Sequence, residues 1–296
     1  MTEYKSCRLC PRGCGVDRTK TVGYCGAKDV MRIARIAPHY WEEPCLSGDK
    51  GSGAVFFSHC SLQCVYCQNA GIASGLGREV SVSELSEKML SLQGQGCHNI
   101  NLVTASHYLP SVVEAVKEAK SAGLHIPVVY NCSGYETKEA IRALSGTVDI
   151  FLPDFKYSLS ETAKKYSNAE DYPTVAVEAI NEMINTASPL SYDGNGLLKS
   201  GVIVRILALP DEEENTKGVL KTVKRLWNGK VIVSLMSQYT PMPGIENKYP
   251  SLSRRITDEE YEELVGYAKG LRLDNVYFQE GQSASESFIP DFTEDF

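Results

Sequence analysis

The chain has 296 residues, 43% of them hydrophobic and 23% charged, with a formal net charge of −7 at pH 7. That length and apolar content support a core of the size found in a single α/β barrel, and the acidic balance argues against a general nucleic-acid binder, which needs a basic surface. No stretch approaches the ~20 apolar residues of a membrane span, and the opening Met1-Thr2-Glu3-Tyr4-Lys5 lacks the apolar run of a secretory signal.

Cysteines dominate the first part of the chain. Cys7, Cys10, Cys14 and Cys25 form an early group, and Cys60, Cys64 and Cys67 form a second. Cys45, Cys97 and Cys132 stand alone. Ten cysteines without an export signal read as metal ligands or reactive thiols before disulfides, which implies a reducing cytoplasm. Residues 1–50 are expected to form a small cysteine-rich metal-binding extension, and residues 51–296 the core domain.

From residue 54 onward, apolar runs alternate with helical patterns. A strand is expected at 54–58, running directly into the second cysteine group. A helix follows at 81–95, with Leu85, Met89 and Leu92 on one face. A strand at 100–104 precedes a helix at 109–122. A strand at 128–131 ends in the turn Ser133-Gly134 and leads to a short helix at 138–144. A strand at 149–154 is followed by helices at 161–166 and 174–185. Residues 188–201 read as an insertion or hairpin. A strand at 202–209, a helix at 215–227, a strand at 231–236, a helix at 258–269 and an extended piece at 276–279 complete the chain. The strands are apolar nearly throughout, as in a parallel sheet covered on both faces. Six β-then-α units are two short of a closed barrel, so the expected fold is α/β, a partial (β/α)6 TIM-type barrel. Chemistry in such barrels sits on the loops after the strands, where the second cysteine group falls.

That group reads C-x3-C-x2-C, with Tyr66 before the third cysteine. Three thiolates leave one metal position open, which suits chemistry more than structure. The plainer reading is a zinc site completed by Cys97 or His59. The pattern C-x3-C-x-aromatic-C resembles that of the radical S-adenosylmethionine (SAM) superfamily. The resemblance implies a [4Fe–4S] cluster on Cys60, Cys64 and Cys67, with SAM bound at the open iron. Reductive cleavage of SAM would then give a 5′-deoxyadenosyl radical that abstracts hydrogen from a substrate. Runs at 35–44, 54–57, 101–108, 130–136, 149–157, 234–241 and 288–292 resemble the PflX group, homologues of the pyruvate formate-lyase activating enzyme.

The resemblance also assigns cofactor positions. Activating enzymes carry Gly-Gly-Glu after the second strand; here the place reads Thr104-Ala105-Ser106-His107. Without that glutamate, the SAM amino group falls to Thr104, Ser106, His107 or nearby carbonyls. Asn131 stands in the acidic position after the third strand. Asp154-Phe155-Lys156 preserves Asp-x-Lys, with Lys156 as partner of the SAM carboxylate and Asp154 of a ribose or cation. Arg205 matches an arginine that contacts SAM, and Tyr66 is expected near the adenine.

The four early thiolates can close a tetrahedral site, structural or electron-relaying. Cys25-Gly26 favours zinc there, and Cys10-Pro11 beside iron–sulfur chemistry favours a second [4Fe–4S] cluster. The leading expectation is a radical SAM oxidoreductase acting on a glycine of a partner glycyl-radical enzyme, with flavodoxin or ferredoxin as electron donor. The alternatives are radical modification of a small molecule or another peptide, and, outside catalysis, an iron–sulfur electron carrier or a zinc-stabilised binding module. Neither a nucleic acid nor a membrane is expected as a partner.

Overall fold

In this computed structural model, which describes residues 2–187 and 189–279, the expected apolar runs become the parallel part of one sheet. In chain order the elements are β1 (Arg32–His39), α1 (Pro44–Ser47), β2 (Ser52–Phe57), α2 (Ala70–Ala73), β3 (Arg78–Glu79), α3 (Val82–Gly94), β4 (Ile100–Val103), α4 (Leu109–Ser121), β5 (Val128–Cys132), α5 (Lys138–Ala143), β6 (Ile150–Pro153), α6 (Ser160–Ser167), α7 (Tyr172–Ala187), β7 (Ser191–Tyr192), β8 (Leu198–Leu207), α8 (Glu213–Trp227), β9 (Ile232–Met236), α9 (Asp258–Gly270) and β10 (Val276–Phe278). The motif at 288–292 and Ser188 lie outside the described residues.

The strand order is β10-β9-β8-β6-β5-β4-β2-β1-β3, with β7 paired to β8. From β2 to β10 every pairing along this path is parallel. The path ends at β3 and β10 without joining them, so the sheet is open, as expected of a partial barrel. β2, β4, β5, β6 and β9 are buried at every residue. Full burial explains their unbroken apolar character. The expected hairpin forms from β7 and β8, which run antiparallel.

Local sequence fixes the helix starts. Ser81 accepts a hydrogen bond from the Glu84 amide and caps α3, whose Leu85, Met89 and Leu92 are buried. Thr137 caps α5 in the same way. Thr257 and Glu260 form a reciprocal capping box on α9. In α8, Val219, Leu220, Val223 and Trp227 are buried, each contributing roughly 2 kcal/mol by removal from water.

The sequence reading did not include β1. It pairs antiparallel with β2 and joins the sheet, although it lies within residues 1–50. Its register shifts between Ile33 and Arg35, and it contains Pro38. A bulge and a proline break the alternation that marks a strand.

Candidate active site

Strand periodicity builds the site in layers. Val129, Leu152, Ile203 and Ile232 share one face of the sheet and pack with Cys45 and Leu46 of α1. Two residues further along the same strands come Asn131, Asp154, Arg205 and Ser234. Successive side chains alternate across a strand, so these polar groups lie on that same face, one layer nearer the strands' C-terminal ends. Arg205 is registered with Ser234 and forms a bridge with Asp154.

Arg205 organises this layer. Its Nε donates to Asp154 Oδ1 at 2.9 Å, its Nη2 to Asn131 Oδ1 at 2.5 Å and its Nη1 to Glu42 Oε2 at 3.3 Å. Lys156 Nζ donates to Asp154 Oδ2 at 2.6 Å. Glu42 Oε1 accepts from Asn101 Nδ2 at 2.8 Å. Burial pushes the Asp154 carboxyl up, but Arg205 and Lys156 outweigh it and hold the group below its ordinary value. Burial pulls the Lys156 ammonium down, but Asp154 outweighs it and holds the group above its ordinary value. Burial holds Glu42 and Glu43 above the usual carboxylate range, against the pull of Arg205.

A cavity of about 230 Å³ opens above this layer. Cys60, Cys64 and Cys67 line it, together with Glu42, Thr104, Asn131, Asp154, Lys156 and Arg205. The loop that carries the three thiols is tightly held. His59 and Gln63 have positive φ values of 74° and 55°. The Leu62 amide donates to Cys60 Sγ at 3.4 Å, and Ser167 Oγ donates to Cys64 Sγ at 3.1 Å. Arg12 grips the loop from outside, donating to Ser61 O at 3.0 Å and Leu62 O at 3.2 Å. Burial and the neighbouring thiols push Cys60 up to about 11 and Cys67 up to about 12. These thiols are therefore neutral near pH 7 until a metal displaces their protons.

Other expected positions divide into two sets. Thr104 lines the cavity with φ at 62°, a left-handed conformation that a β-branched residue adopts only when its surroundings impose it. Tyr66 also lines the cavity, but most of its ring is buried among Tyr157, Tyr166 and Tyr239, with ring centroids 6.5, 5.8 and 6.3 Å away. Ser106 and His107 do not line it. Ser106 Oγ turns inward to Glu136 Oε1 at 2.6 Å, and His107 Nε2 donates to Ser58 O at 2.7 Å. Burial lowers the His107 imidazole to about 3, so the ring is neutral and structural. Cys97 and His59, offered as a fourth zinc ligand, are also absent from the cavity lining. The early thiols Cys7, Cys10, Cys14 and Cys25 are free and lie outside it.

The sequence reading missed Glu42. It precedes Glu43 and Pro44 at the start of α1, a four-residue helix that the sequence reading did not include. The usable signal was Arg205, an arginine inside an apolar strand, which requires a buried counter-charge. Asp154 and Glu42 both pair with it.

Residues 54–221 match the family model of the Radical SAM superfamily. The chain is 26% identical over 283 residues to the Uncharacterized protein MJ0674 of Methanocaldococcus jannaschii, covering 93% of this chain and 77% of that one. A radical SAM methyltransferase from Sphaerobacter thermophilus superposes with a TM-score of 0.52 at 15% identity, over 80% of this chain and 70% of its own. A domain of pyruvate-formate lyase-activating enzyme from Bacteroides vulgatus gives a TM-score of 0.40 at 12% identity, over 58% of this chain and 92% of its own. Among the described residues, no helix is long and apolar enough to cross a membrane.

Proposed function

The chain belongs to the radical SAM superfamily, and on that premise we propose that it is a PflX-type activating enzyme that takes a hydrogen atom from a backbone glycine of a partner polypeptide, drawing electrons from a flavodoxin or ferredoxin in the cytoplasm. The family implies a [4Fe–4S] cluster and SAM. One observation carries the reading: three thiols and a buried, charge-balanced polar layer share one cavity.

The residues fit that pair of groups. No set of three or more His, Cys, Asp or Glu side chains among the described residues is arranged to hold a single ion. A cubane makes a different demand, because its thiolates bind separate irons and stand further apart. Cys60, Cys64 and Cys67 would hold the cluster. Lys156 and Arg205 offer the cations that suit the SAM carboxylate. Glu42 and Asp154 offer carboxylates for the SAM ammonium, which replaces the missing Gly-Gly-Glu. The chemistry these groups supply when bound is reductive cleavage of the sulfonium and hydrogen abstraction by 5′-deoxyadenosyl.

The protein's part is to orient and to exclude water. Arg205 fixes Asp154 and Asn131 before any ligand arrives, so the polar layer needs little rearrangement. The cavity wall includes Trp41, which is 59% exposed. A large exposed aromatic side chain in a cavity wall suits a polypeptide substrate better than a small polar one.

The test mixes the anaerobically reconstituted protein, SAM and dithionite with a glycyl-radical enzyme from the same genome. The expected result is an electron paramagnetic resonance doublet that collapses in D2O after backbone Cα exchange. Formation of 5′-deoxyadenosine without any radical on the polypeptide contradicts the glycine assignment and points to another substrate.

A further inference from the structure

The early cysteine group is folded into a unit of its own. The amides of Cys7 and Gly15 bond to Val16 O at 3.0 Å and Cys7 O at 2.9 Å, which brings Cys7 beside Cys14. The amides of Arg12 and Ala27, each two residues past a cysteine, donate to the sulfurs of Cys10 and Cys25. A methyl group built on Gly23 would stand 3.3 Å from Cys25 Sγ, 3.4 Å from Arg18 Cδ and 3.6 Å from Cys14 Sγ. Gly23 therefore leaves room for two of the sulfurs and the Arg18 stem to pack together.

An independent observation is Arg18, which is 0% exposed. Its guanidinium donates to Ala27 O at 3.1 Å, to Lys28 O and to His107 O at 2.5 Å, and to Cys7 Sγ at 3.8 Å. The Tyr4 and Tyr108 rings flank it at 5.0 and 5.7 Å. None of these partners is a carboxylate. A cation removed from water with only neutral partners is costly, by several kcal/mol, unless an anion lies beside it. Four neutral thiols supply no anion; four thiolates on a metal carry net negative charge.

We propose that Cys7, Cys10, Cys14 and Cys25 bind one iron–sulfur cluster as four thiolates, each on its own iron, that this cluster is the counter-charge of Arg18, and that it secures the 60–67 loop through Arg12. Each thiol releases its proton to water as its sulfur takes its place on an iron, an exchange of ligands that leaves the oxidation states of sulfur and iron unchanged. Arg12 lies two residues after Cys10 and is the mechanical link. Besides Ser61 and Leu62, it bonds Ser167 O at 2.7 Å and Asn168 O at 2.5 Å, where α6 ends. Gln63 Nε2 adds a bond to Tyr24 O at 2.9 Å, one residue before Cys25.

The test counts zinc, iron and sulfide in the full-length protein without SAM, so its outcome is independent of the radical chemistry. Cys10→Ser/Cys14→Ser is expected to lose about four irons with their sulfide; loss of a single zinc instead overturns the cluster. Cys64→Ser/Cys67→Ser is expected to keep that centre. Because the first variant can fail to fold, wild-type protein is also alkylated with iodoacetamide. Cys14, only partly buried, is expected to react at least about tenfold faster after a chelator strips the metal. Arg18→Met is expected to lose the metal to chelator about tenfold more readily, and Arg18→Lys to restore part of the retention. Arg12→Ala is expected to keep the metal while amide exchange at 61–64 accelerates. Equal alkylation of Cys14 before and after chelation overturns the site. Unchanged retention in Arg18→Met overturns the counter-charge role, and unchanged exchange in Arg12→Ala overturns the link to the loop.

Discussion

At the scale of single residues, charge pairing in a dry layer dominates. Glu42 and Arg205 are separated by 163 positions in sequence, yet they meet at 3.3 Å. If Glu42 receives the SAM ammonium, Glu42→Gln weakens SAM binding about tenfold, or ~1.4 kcal/mol, without altering the cluster's absorbance. Calorimetric titration of the reconstituted protein reads this directly, and unchanged affinity removes Glu42 from the site. Glu136 makes a second case. Burial raises its carboxyl from 4.5 to about 7. Between those values the folded chain holds a proton that the unfolded chain has released, so stability falls as pH rises through this window. Glu136→Gln abolishes that loss. The variant's advantage in urea unfolding should grow by up to ~3 kcal/mol between pH 4.5 and pH 8; an equal difference at both ends contradicts the raised carboxyl. The composition of the polar layer was only partly legible. Asp154, Lys156 and Arg205 stood out by motif and by a charge inside an apolar strand. Glu42 did not, because only the fold brings it to Arg205. Ser106 and His107 have the right types for ligand binding, but the 3-10 turn after β4 points them inward, and sequence does not report that rotation.

At the scale of elements, the strand ends decide where side chains point. β5 leads into a tight turn at Gly134, whose φ is +74°. There the backbones of residues 134 and 154 approach so closely that a Cβ would press into the Asp154 carbonyl oxygen. Tyr172 Oη ties the same corner, donating to Ser133 O at 2.8 Å and Asp154 O at 2.9 Å. Gly134→Ala should therefore destabilise by about 3 kcal/mol or more and displace Asp154. Thermal unfolding checks the first effect and SAM affinity the second; a variant with wild-type values in both contradicts the close approach. The parallel strands were legible because burial on both faces leaves a continuous apolar run. β1 was hidden by its bulge and by Pro38, and its place in the sheet depends on β2, not on its own pattern.

At the scale of the whole molecule, an open parallel sheet directs the ends of its strands toward one cavity. The layers beneath the cavity run from an apolar floor to a charged tier, and the three-thiol loop stands over them. The N-terminal unit and α6 brace that loop from outside through Arg12. The cysteine motif was readable because its spacing is local, whereas the brace depends on contacts across 155 and 156 positions. The account rests on the three thiols holding a cluster that cleaves SAM reductively. The direct measurement is anaerobic reconstitution with iron and sulfide, addition of SAM and dithionite, and chromatographic detection of 5′-deoxyadenosine. The account predicts 5′-deoxyadenosine from the wild-type protein, and none above background from Cys60→Ala, Cys64→Ala or Cys67→Ala. No 5′-deoxyadenosine from a wild-type protein that carries its full complement of iron and sulfide would contradict it.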